Sequence, residues 1–304
     1  MTRARVAVIT RTKNRGLLLR RAIESVTNQR FRDWRMIIVN DGGARDQVEP
    51  LVEEFRAVFA GRVDVIHHDQ SRGMEAASNA GLRASESEYA IIHDDDDAWH
   101  PEFLRETVAF LDEHASRPRL AGVVAHSVAI EERIEGERVF KVREWPFNPG
   151  LDAVTLYRMA ARNSFPPISF LFKRAALDEV GWFREDLPVL GDWDFHLRFV
   201  ARYEVGVIRK PLAYYHHRVR GTASEYSNSI IGDVDKHALY DAALRNELLR
   251  TDLANGVLGL GFLVNVSRGL EDLGDHLERA RASSLFGYVK DRVYNFGKRV
   301  KLIP

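Results

Sequence analysis

A mostly parallel α/β sheet flanked by helices, followed by a helical extension, is the fold class this chain predicts. Three patterns carry that expectation. Over the first hundred residues, short apolar runs alternate with segments of helical spacing, the rhythm of a parallel sheet with right-handed crossovers. After Leu120 the rhythm changes, with a hairpin and further short strand-like runs, and from about Lys236 the spacing is helical to the end. The expected division is an α/β domain over residues 1–220, its halves meeting near residue 100, and a helical extension over 221–304.

Val6 to Thr10 opens as a strand, and Leu18, Ala22, Ile23 and Val26 mark one helical face between Gly16 and Gln29. Trp34 to Val39 is the second strand, closed by the turn residues Asn40-Asp41-Gly42-Gly43. Val48, Leu51, Val52, Phe55, Val58 and Phe59 share one face of a following helix, and Val63 to Ile66 is the third strand. A small-residue helix runs from Met74 to Ala84 and Tyr89 to Ile92 is the fourth strand. Pro101 suits the first position of a helix reaching about His114. Further on, Ala121 to Ser127 is apolar, Ile130 to Phe140 predicts a hairpin turning at Glu135-Gly136, and Ile168 to Phe172 a strand. Phe195 to Tyr203 predicts a helix, with two strands after it at Val205 to Ile208 and Leu212 to Tyr215.

The 304 residues, 45% of them hydrophobic, suffice for one large core and a smaller appendage. Lysine and arginine total 44, as do aspartate and glutamate, so no global field draws the chain to nucleic acid. Cysteine is absent, which excludes disulfides, thiolate metal sites and cysteine nucleophiles. No apolar run approaches the ~20 residues that span a bilayer, and no signal-peptide pattern precedes the first strand. The expectation is a cytoplasmic protein.

Four consecutive aspartates, Asp94 to Asp97, follow the fourth strand. Adjacent carboxylates resist ionising together, and a divalent cation with a diphosphate on its far side makes such a cluster favourable. In an extended segment Asp94 and Asp96 share one face, Asp95 and Asp97 the other. One face suits a cation; the other suits hydrogen bonds from a sugar or from the loop itself. Helix capping before Pro101 accounts for one or two of the four at most. Ligands bind open α/β sheets at the carboxyl ends of strands, so the pattern points to metal-assisted phosphate chemistry. Asp41 falls on the same predicted edge, where a carboxylate suits a nucleobase N–H and glycines admit close approach. Taken alone, it is an ordinary Asp-Gly turn. Asp192, in Gly191-Asp192-Trp193-Asp194-Phe195, has two readings from spacing: a helix cap, or a general base beside an aromatic wall.

Val8-Ile9-Thr10-Arg11-Thr12-Lys13-Asn14-Arg15, Arg21 to Val26 with Gln29, Asp33-Trp34 and Ile37 to Gly42 resemble, in that order, the opening of family 2 glycosyltransferases. Asn79-Ala80-Gly81, Glu88-Tyr89, the aspartate run and Gly191-Asp192-Trp193-Asp194 continue the resemblance, which covers roughly residues 6 to 217. It implies the GT-A fold with its Rossmann-like sheet, and an inverting, non-processive transfer of sugar. The implied donor is a nucleoside-diphosphate sugar (UDP, dTDP or GDP) and the implied cofactor a divalent metal, Mn2+ or Mg2+. The acceptor would be a glycan or lipid-linked saccharide, in surface polysaccharide biosynthesis. By position, the resemblance implies donor-nucleotide contacts from Thr10, Arg11, Thr12, Asn14, Asp41, Arg72 and Asp95. It places a cation on Asp94 and Asp96, the ends of the DXD motif, with His217 as a further ligand, and makes Asp192 the base. The donor half would be residues 1–100 and the acceptor half 101–220.

The chain departs from the family's pattern at four points. Asn40 stands for the commoner first aspartate before Asp41, Lys13 for an aromatic residue, Ser78 for an arginine, and Gly191 for the glutamate of a Glu-Asp pair. The Gln-x-x-Arg-Trp motif of processive synthases is missing. Sugar-1-phosphate nucleotidyltransferases also set aspartates and a metal on such a sheet, but they open on a glycine-rich basic loop, and Arg11 to Gly16 holds one glycine. A phosphohydrolase would need a nucleophile motif beside the aspartates, and a non-catalytic sugar-nucleotide-binding module would lack the base. Finally, Ser284 to Pro304 interleaves Leu285, Phe286, Val289 and Val293 with Lys290, Arg292, Lys298 and Arg299. Such a basic amphipathic helix fits peripheral contact with the cytoplasmic face of a membrane, or packing on protein, a homo-oligomer included.

Overall fold

The structure, a computed structural model, describes residues 4–218 and 234–283; the basic segment from Ser284 to Pro304 lies outside the described residues. Two compact units divide the chain, one of residues 1–159 and 163–243, the other of 160–162 and 244–304.

In the larger unit the chain runs β1 (Val6–Thr12), α1 (Gly16–Thr27), β2 (Trp34–Asp41), α2 (Glu49–Glu54), α3 (Arg56–Phe59), β3 (Val63–His68), α4 (Met74–Arg83) and β4 (Tyr89–Ile92). It continues as β5 (Ala98–Trp99), α5 (Phe103–Glu113), β6 (Leu120–Glu135), β7 (Arg138–Pro146), α6 (Leu156–Ala161), β8 (Phe170–Lys173), α7 (Leu177–Val180), α8 (Gly191–Val200) and β9 (Glu204–Arg218). Among the described residues, nine strands form one sheet in the order β3-β2-β1-β4-β8-β6-β9-β5, with β7 paired to β6. The first four are parallel, Val8 facing Met36 and Ile91, so their carboxyl ends share one edge. β8 enters antiparallel between β4 and β6.

The core follows from the apolar runs. Val6, Val8, Met36, Ile38 and Ile91 are fully enclosed, with Leu19, Ile23 and Val26 of α1 packed upon them. α4 approaches closely because it carries a glycine: a Cβ on Gly81 would stand 2.4 Å from Ile9 Cγ2. Asn79, on the same helix, both donates to Phe183 O (2.9 Å) and accepts from Phe183 N–H (3.1 Å).

Several elements differ from the sequence expectation, among them the helix expected over Phe195 to Tyr203, which spans Gly191–Val200 and so includes Asp192, and the helix expected to open on Pro101, which opens on Phe103. The helix expected across Val48 to Phe59 is two short ones, because Phe55 leaves helical geometry (φ −89°, ψ 6°) and only Val48 and Phe59 of that face are buried. The expected strand at Ile168 starts at Phe170, since Pro166 and Pro167 open a tight helical turn over Pro167–Ser169. Conversely, the two strands expected on either side of Pro211 are one continuous β9, paired in parallel with β6, whose register shifts around His126 absorb the proline. The hairpin turn forms where expected, Glu135 facing Arg138.

The smaller unit is helical: α9 (Val234–Asn255) enters it at Leu244, and α10 (Leu260–Ser283) completes it. Arg245, buried, donates to the carbonyls of Ala160 (3.1 Å), Ala161 (2.8 Å) and Val264 (2.6 Å). Asp252 accepts from Gly259 N–H and Phe262 N–H, joining the two helices. Among the described residues no helix is long and apolar enough to cross a membrane.

Candidate active site

At the carboxyl edge of β1, β2 and β4 lies a cavity of about 900 Å³, walled by Arg11, Thr12, Asp41, Glu75, Asp94, Asp96, Asp192 and His217 among others. Each wall is the continuation of a buried strand or the start of a helix, so backbone geometry delivers the charges to one place.

The aspartate run alternates. Asp94 and Asp96 face the cavity, whereas Asp95 and Asp97 are enclosed. Asp94 is gripped by Arg11, whose Nε donates to Oδ1 at 2.6 Å and whose Nη2 donates to Oδ2 at 3.2 Å. Asp96 pairs with Arg218 from the end of β9 and with Arg15 at 3.3 Å, while Arg21 donates to its backbone carbonyl. Burial opposes ionisation of Asp96, but the guanidinium groups of Arg218 and Arg15 outweigh it and hold the carboxyl far below the usual aspartate range. Asp95, with Arg15 Nη2 3.1 Å away, is pushed upward by burial, and Asp97 more so by burial and the charges of Asp96 and Asp94. Asp97 accepts the backbone N–H of His216 at 2.8 Å, so it holds the loop to β9.

Read along the chain alone, the run calls for a divalent cation to neutralise it. In the structure four arginines do much of it: Arg11 from the end of β1, Arg15 from the loop after it, Arg21 from α1 and Arg218 from the end of β9. Two carboxylates still present oxygen to the cavity, Asp94 with 23% and Asp96 with 12% of the side chain accessible. Hard divalent cations of the Mg2+ type bind through one or two carboxylates plus substrate phosphates, so this donor set fits such an ion. Among the described residues no group of three or more metal-ligating side chains gathers at one point.

Asp41 ends β2 and anchors the loop after β3. Its Oδ1 accepts from Arg72 N–H at 2.8 Å and lies 2.8 Å from His68 Nδ1; its Oδ2 accepts from Ser71 Oγ (2.7 Å) and Gly73 N–H (3.0 Å). Burial alone would raise this carboxyl, yet those four partners bring it below its ordinary value. Gly42 permits the fold-back, with φ +72° and the Ser71 nitrogen 2.2 Å from where a Cβ would sit.

Asp192 occupies the first turn of α8 without capping it; Leu190, in the left-handed region at φ +65°, is the capping position. Asp192 Oδ1 accepts its neighbour Trp193's N–H (2.8 Å) and Oδ2 accepts from Asn163 Nδ2 (2.8 Å). Burial raises its carboxyl above the aspartate range, with Trp193 N–H and Arg11 opposing and Asp94 reinforcing. Such a carboxylate is more basic than one in water, the tuning that proton abstraction requires. Its neighbour Asp194 is structural: it binds Arg198 at 2.6 Å, and Arg198 ties down Val180 O and Trp182 O.

Of the residues singled out from sequence, Arg11, Thr12, Asp41, Asp94, Asp96, Asp192 and His217 share this cavity. Thr10 and Asp95 are buried off its wall. Asn14 instead accepts from Ala44 N–H at 2.7 Å, and Arg72 lies toward solvent, 3.8 Å from Glu185. His217 sits among aromatic rings, 4.2 Å from Tyr215 and stacked at 6.2 Å on Trp145; burial, helped by Arg218, lowers its affinity for a proton. Sequence reasoning gave no role to Arg15, Arg21, Arg218, Asn163 or Glu75. A count of the cations four aspartates require would have pointed to the arginines, though not to which ones. Glu75 had no such signal, because an acidic residue in the first turn of a helix is ordinary dipole chemistry.

The model of glycosyl transferase family 2 matches residues 7–181. The uncharacterized glycosyltransferase YwdF of Bacillus subtilis (strain 168) is 28% identical over 206 residues, 66% of this chain and 70% of that protein. WcaA of Escherichia coli (strain K12), a glycosyl transferase named for colanic acid biosynthesis, is 27% identical over 198 residues, 65% and 67% of the two chains. Among solved structures, S. aureus TarS 1-349 aligns with a TM-score of 0.54 at 22% identity over 70% of this chain, which spans 60% of the TarS chain. The mannosyltransferase PcManGT from Pyrobaculum calidifontis, solved with GDP-Man and Mn2+, aligns at 0.57 and 17% identity over 100% of this chain and 82% of its own. These two likenesses establish the GT-A fold. With more than half of its length matched by the family model, this chain belongs to glycosyl transferase family 2 and is a glycosyltransferase.

Proposed function

We propose that this glycosyltransferase moves a sugar, with inversion, from a nucleoside-diphosphate sugar to a hydroxyl of a glycan or lipid-linked saccharide, in surface polysaccharide biosynthesis. The observation that carries the reading is the meeting of a partly buried Asp192, its carboxyl raised above its ordinary value, with the Asp94 and Asp96 carboxylates on one cavity. The complexes of TarS with UDP and UDP-GlcNAc, and of PcManGT with GDP-Man, support a nucleotide-sugar donor. The name of WcaA supports the polysaccharide setting.

Asp192 takes the proton of the acceptor hydroxyl as its oxygen attacks the anomeric carbon, a role typically worth about 10²–10⁴-fold in rate. Asn163 orients its carboxylate through the 2.8 Å hydrogen bond. Asp94 and Asp96 would hold Mn2+ or Mg2+, which when bound supplies Lewis-acid stabilisation of the leaving diphosphate. Arg11 adds a fixed cation to the same wall. Phe147, Tyr215 and His217 line the cavity with aromatic rings, surfaces suited to the C–H groups of an acceptor sugar. The segment from Ser284 to Pro304 would rest on an anionic membrane where lipid-linked acceptors lie; equal vesicle co-sedimentation of full-length and truncated protein would remove that part.

Incubation with UDP-, dTDP- and GDP-sugars plus Mn2+, with nucleoside diphosphate release followed, tests the whole. Release from one donor, accelerated by a saccharide acceptor, is the expected result. Release of pyrophosphate on supplying a sugar 1-phosphate and a nucleoside triphosphate would instead make the protein a nucleotidyltransferase.

A further inference from the structure

Glu75 is a buried carboxylate on the cavity wall, 3% exposed, that the proposed transfer leaves without a task. Its Oε2 lies 3.5 Å from Arg11 Nη1, and the same Nη1 donates to Ser78 Oγ at 3.1 Å. Arg11 is therefore held from two sides, by Asp94 through Nε and Nη2 and by α4 through Nη1. The space for Glu75 comes from α8. A Cβ on Gly191 would stand 2.4 Å from both Cδ and Oε1 of Glu75. The backbone at Gly191 is not in the left-handed region, so conformation does not demand glycine there; the carboxylate does.

We propose that Glu75 is a positioning residue for the donor diphosphate: it anchors Arg11 in the cavity, and Gly191 carries no side chain so that Glu75 can stand there. The proposal rests on reading the cavity as a nucleotide-sugar site. Its logic is the double claim on Asp94. One carboxylate cannot serve a cation and remain the sole counter-charge of a buried guanidinium, because an uncompensated buried charge is strongly unfavourable. With Glu75 on its other side, Arg11 keeps a counter-charge and a fixed direction when Asp94 turns to a cation. Its remaining N–H groups are then available to phosphate oxygens, a geometry guanidinium groups match well. Without Glu75, Arg11 would stay on Asp94 and compete with the cation.

The test is a cycle read by calorimetric binding of inorganic pyrophosphate, UDP and GDP, each with and without Mn2+, alongside donor KM and kcat. Glu75→Gln, nearly the same shape, should weaken Mn2+-dependent binding about tenfold, and the loss should fall on donor KM more than on kcat. Gly191→Ala should reproduce that loss by displacing Glu75, and should add nothing further in a Glu75→Ala background. Thermal melting of each variant confirms that a folded protein is being measured. Wild-type affinity in Glu75→Gln overturns the proposal, as does a Gly191→Ala defect that persists undiminished beside Glu75→Ala. Should the wild-type protein bind none of the three probes, the donor-site reading itself falls and the proposal with it, an outcome distinct from variants that match a binding-competent wild type.

Discussion

The apolar middle of the sheet and the charged rim at its carboxyl edge are made of neighbouring residues, yet they are stabilised by opposite means. Ile91 and Ile92 are buried among like side chains, and three residues on Asp95 is equally buried among arginines and other carboxylates. In the middle, each enclosed group is neutral and its backbone polar groups are satisfied by the adjacent strands. At the rim, Asp94, Asp95 and Asp96 are each met by a guanidinium from a distant part of the chain, as Arg218 reaches Asp96 across 122 positions, whereas Asp97 is held by a backbone N–H. The middle is robust to chemistry and sensitive to volume; the rim is the reverse. The proposed site lies where carboxylates crowd together, and burial among like charges is what moves Asp192 and Glu75 away from ordinary carboxylates.

The sharpest separation of the two regions is Asp192→Asn. Turnover should fall by about 10²–10⁴-fold while nucleotide affinity and melting temperature stay near wild type; a matching loss of donor binding would count against the base role. Next is Asp96→Ala, which takes the nearer carboxylate from Arg218, leaving it Glu132 at 3.6 Å, and leaves Arg15 with Asp95 alone of its two aspartates. Breaking a buried pair in this way costs about 3–5 kcal/mol, measurable by urea unfolding, and Mn2+-dependent nucleotide affinity should vanish with it. Titration with Mn2+ unchanged from wild type would remove Asp96 from the metal site. Ile91→Ala, in the middle, should cost about 2–5 kcal/mol with kcat per folded molecule preserved, which would show that stability and turnover are separable here.

The smallest effect is one of pH. Burial, with the charges of Asp192, Asp94 and Asp194 adding and that of Arg11 opposing, pushes the Glu75 carboxyl up to about 7. Its unfolded value is near 4.5, so between those pH values the folded state binds more protons than the unfolded one. Stability should therefore fall as pH rises from about 4.5 to 7 through this group and level off above, by on the order of 1–3 kcal/mol. Glu75→Gln should flatten that slope in melting curves taken across the window, being more stable than wild type near neutrality while binding diphosphate less well. An unaltered slope would mean that other carboxylates, such as Asp97 or Asp192, dominate the titration.

Much of the first hundred residues was legible along the chain. The runs at Val6, Trp34, Val63 and Tyr89 became strands because apolar spacing and turn residues act locally. The alternation of the aspartates came out as expected but not for the expected reason: Asp94 to Asp97 is a turn rather than extended backbone, closed by Asp97 N–H donating to Asp94 O at 3.2 Å, and it still turns Asp94 and Asp96 to the cavity and Asp95 and Asp97 away. The joining of two apparent strands across Pro211 was hidden, because a proline at a register shift is tolerated only once the partner strand is known. The arginines on the aspartate run were hidden too, as was the place of Glu75, for nothing near Met74 in sequence announces Gly191.

By itself, then, the sequence determined the succession of strands and helices and the edge at which acidic residues emerge. These are set by neighbours along the chain, through periodicity, glycine and proline. The tertiary structure alone decided which guanidinium answers which carboxylate and which acids are shifted from their ordinary range. Coulomb energy and desolvation depend on distances of a few ångströms and on enclosure, and both come into being only when strand order brings remote segments to a common cavity.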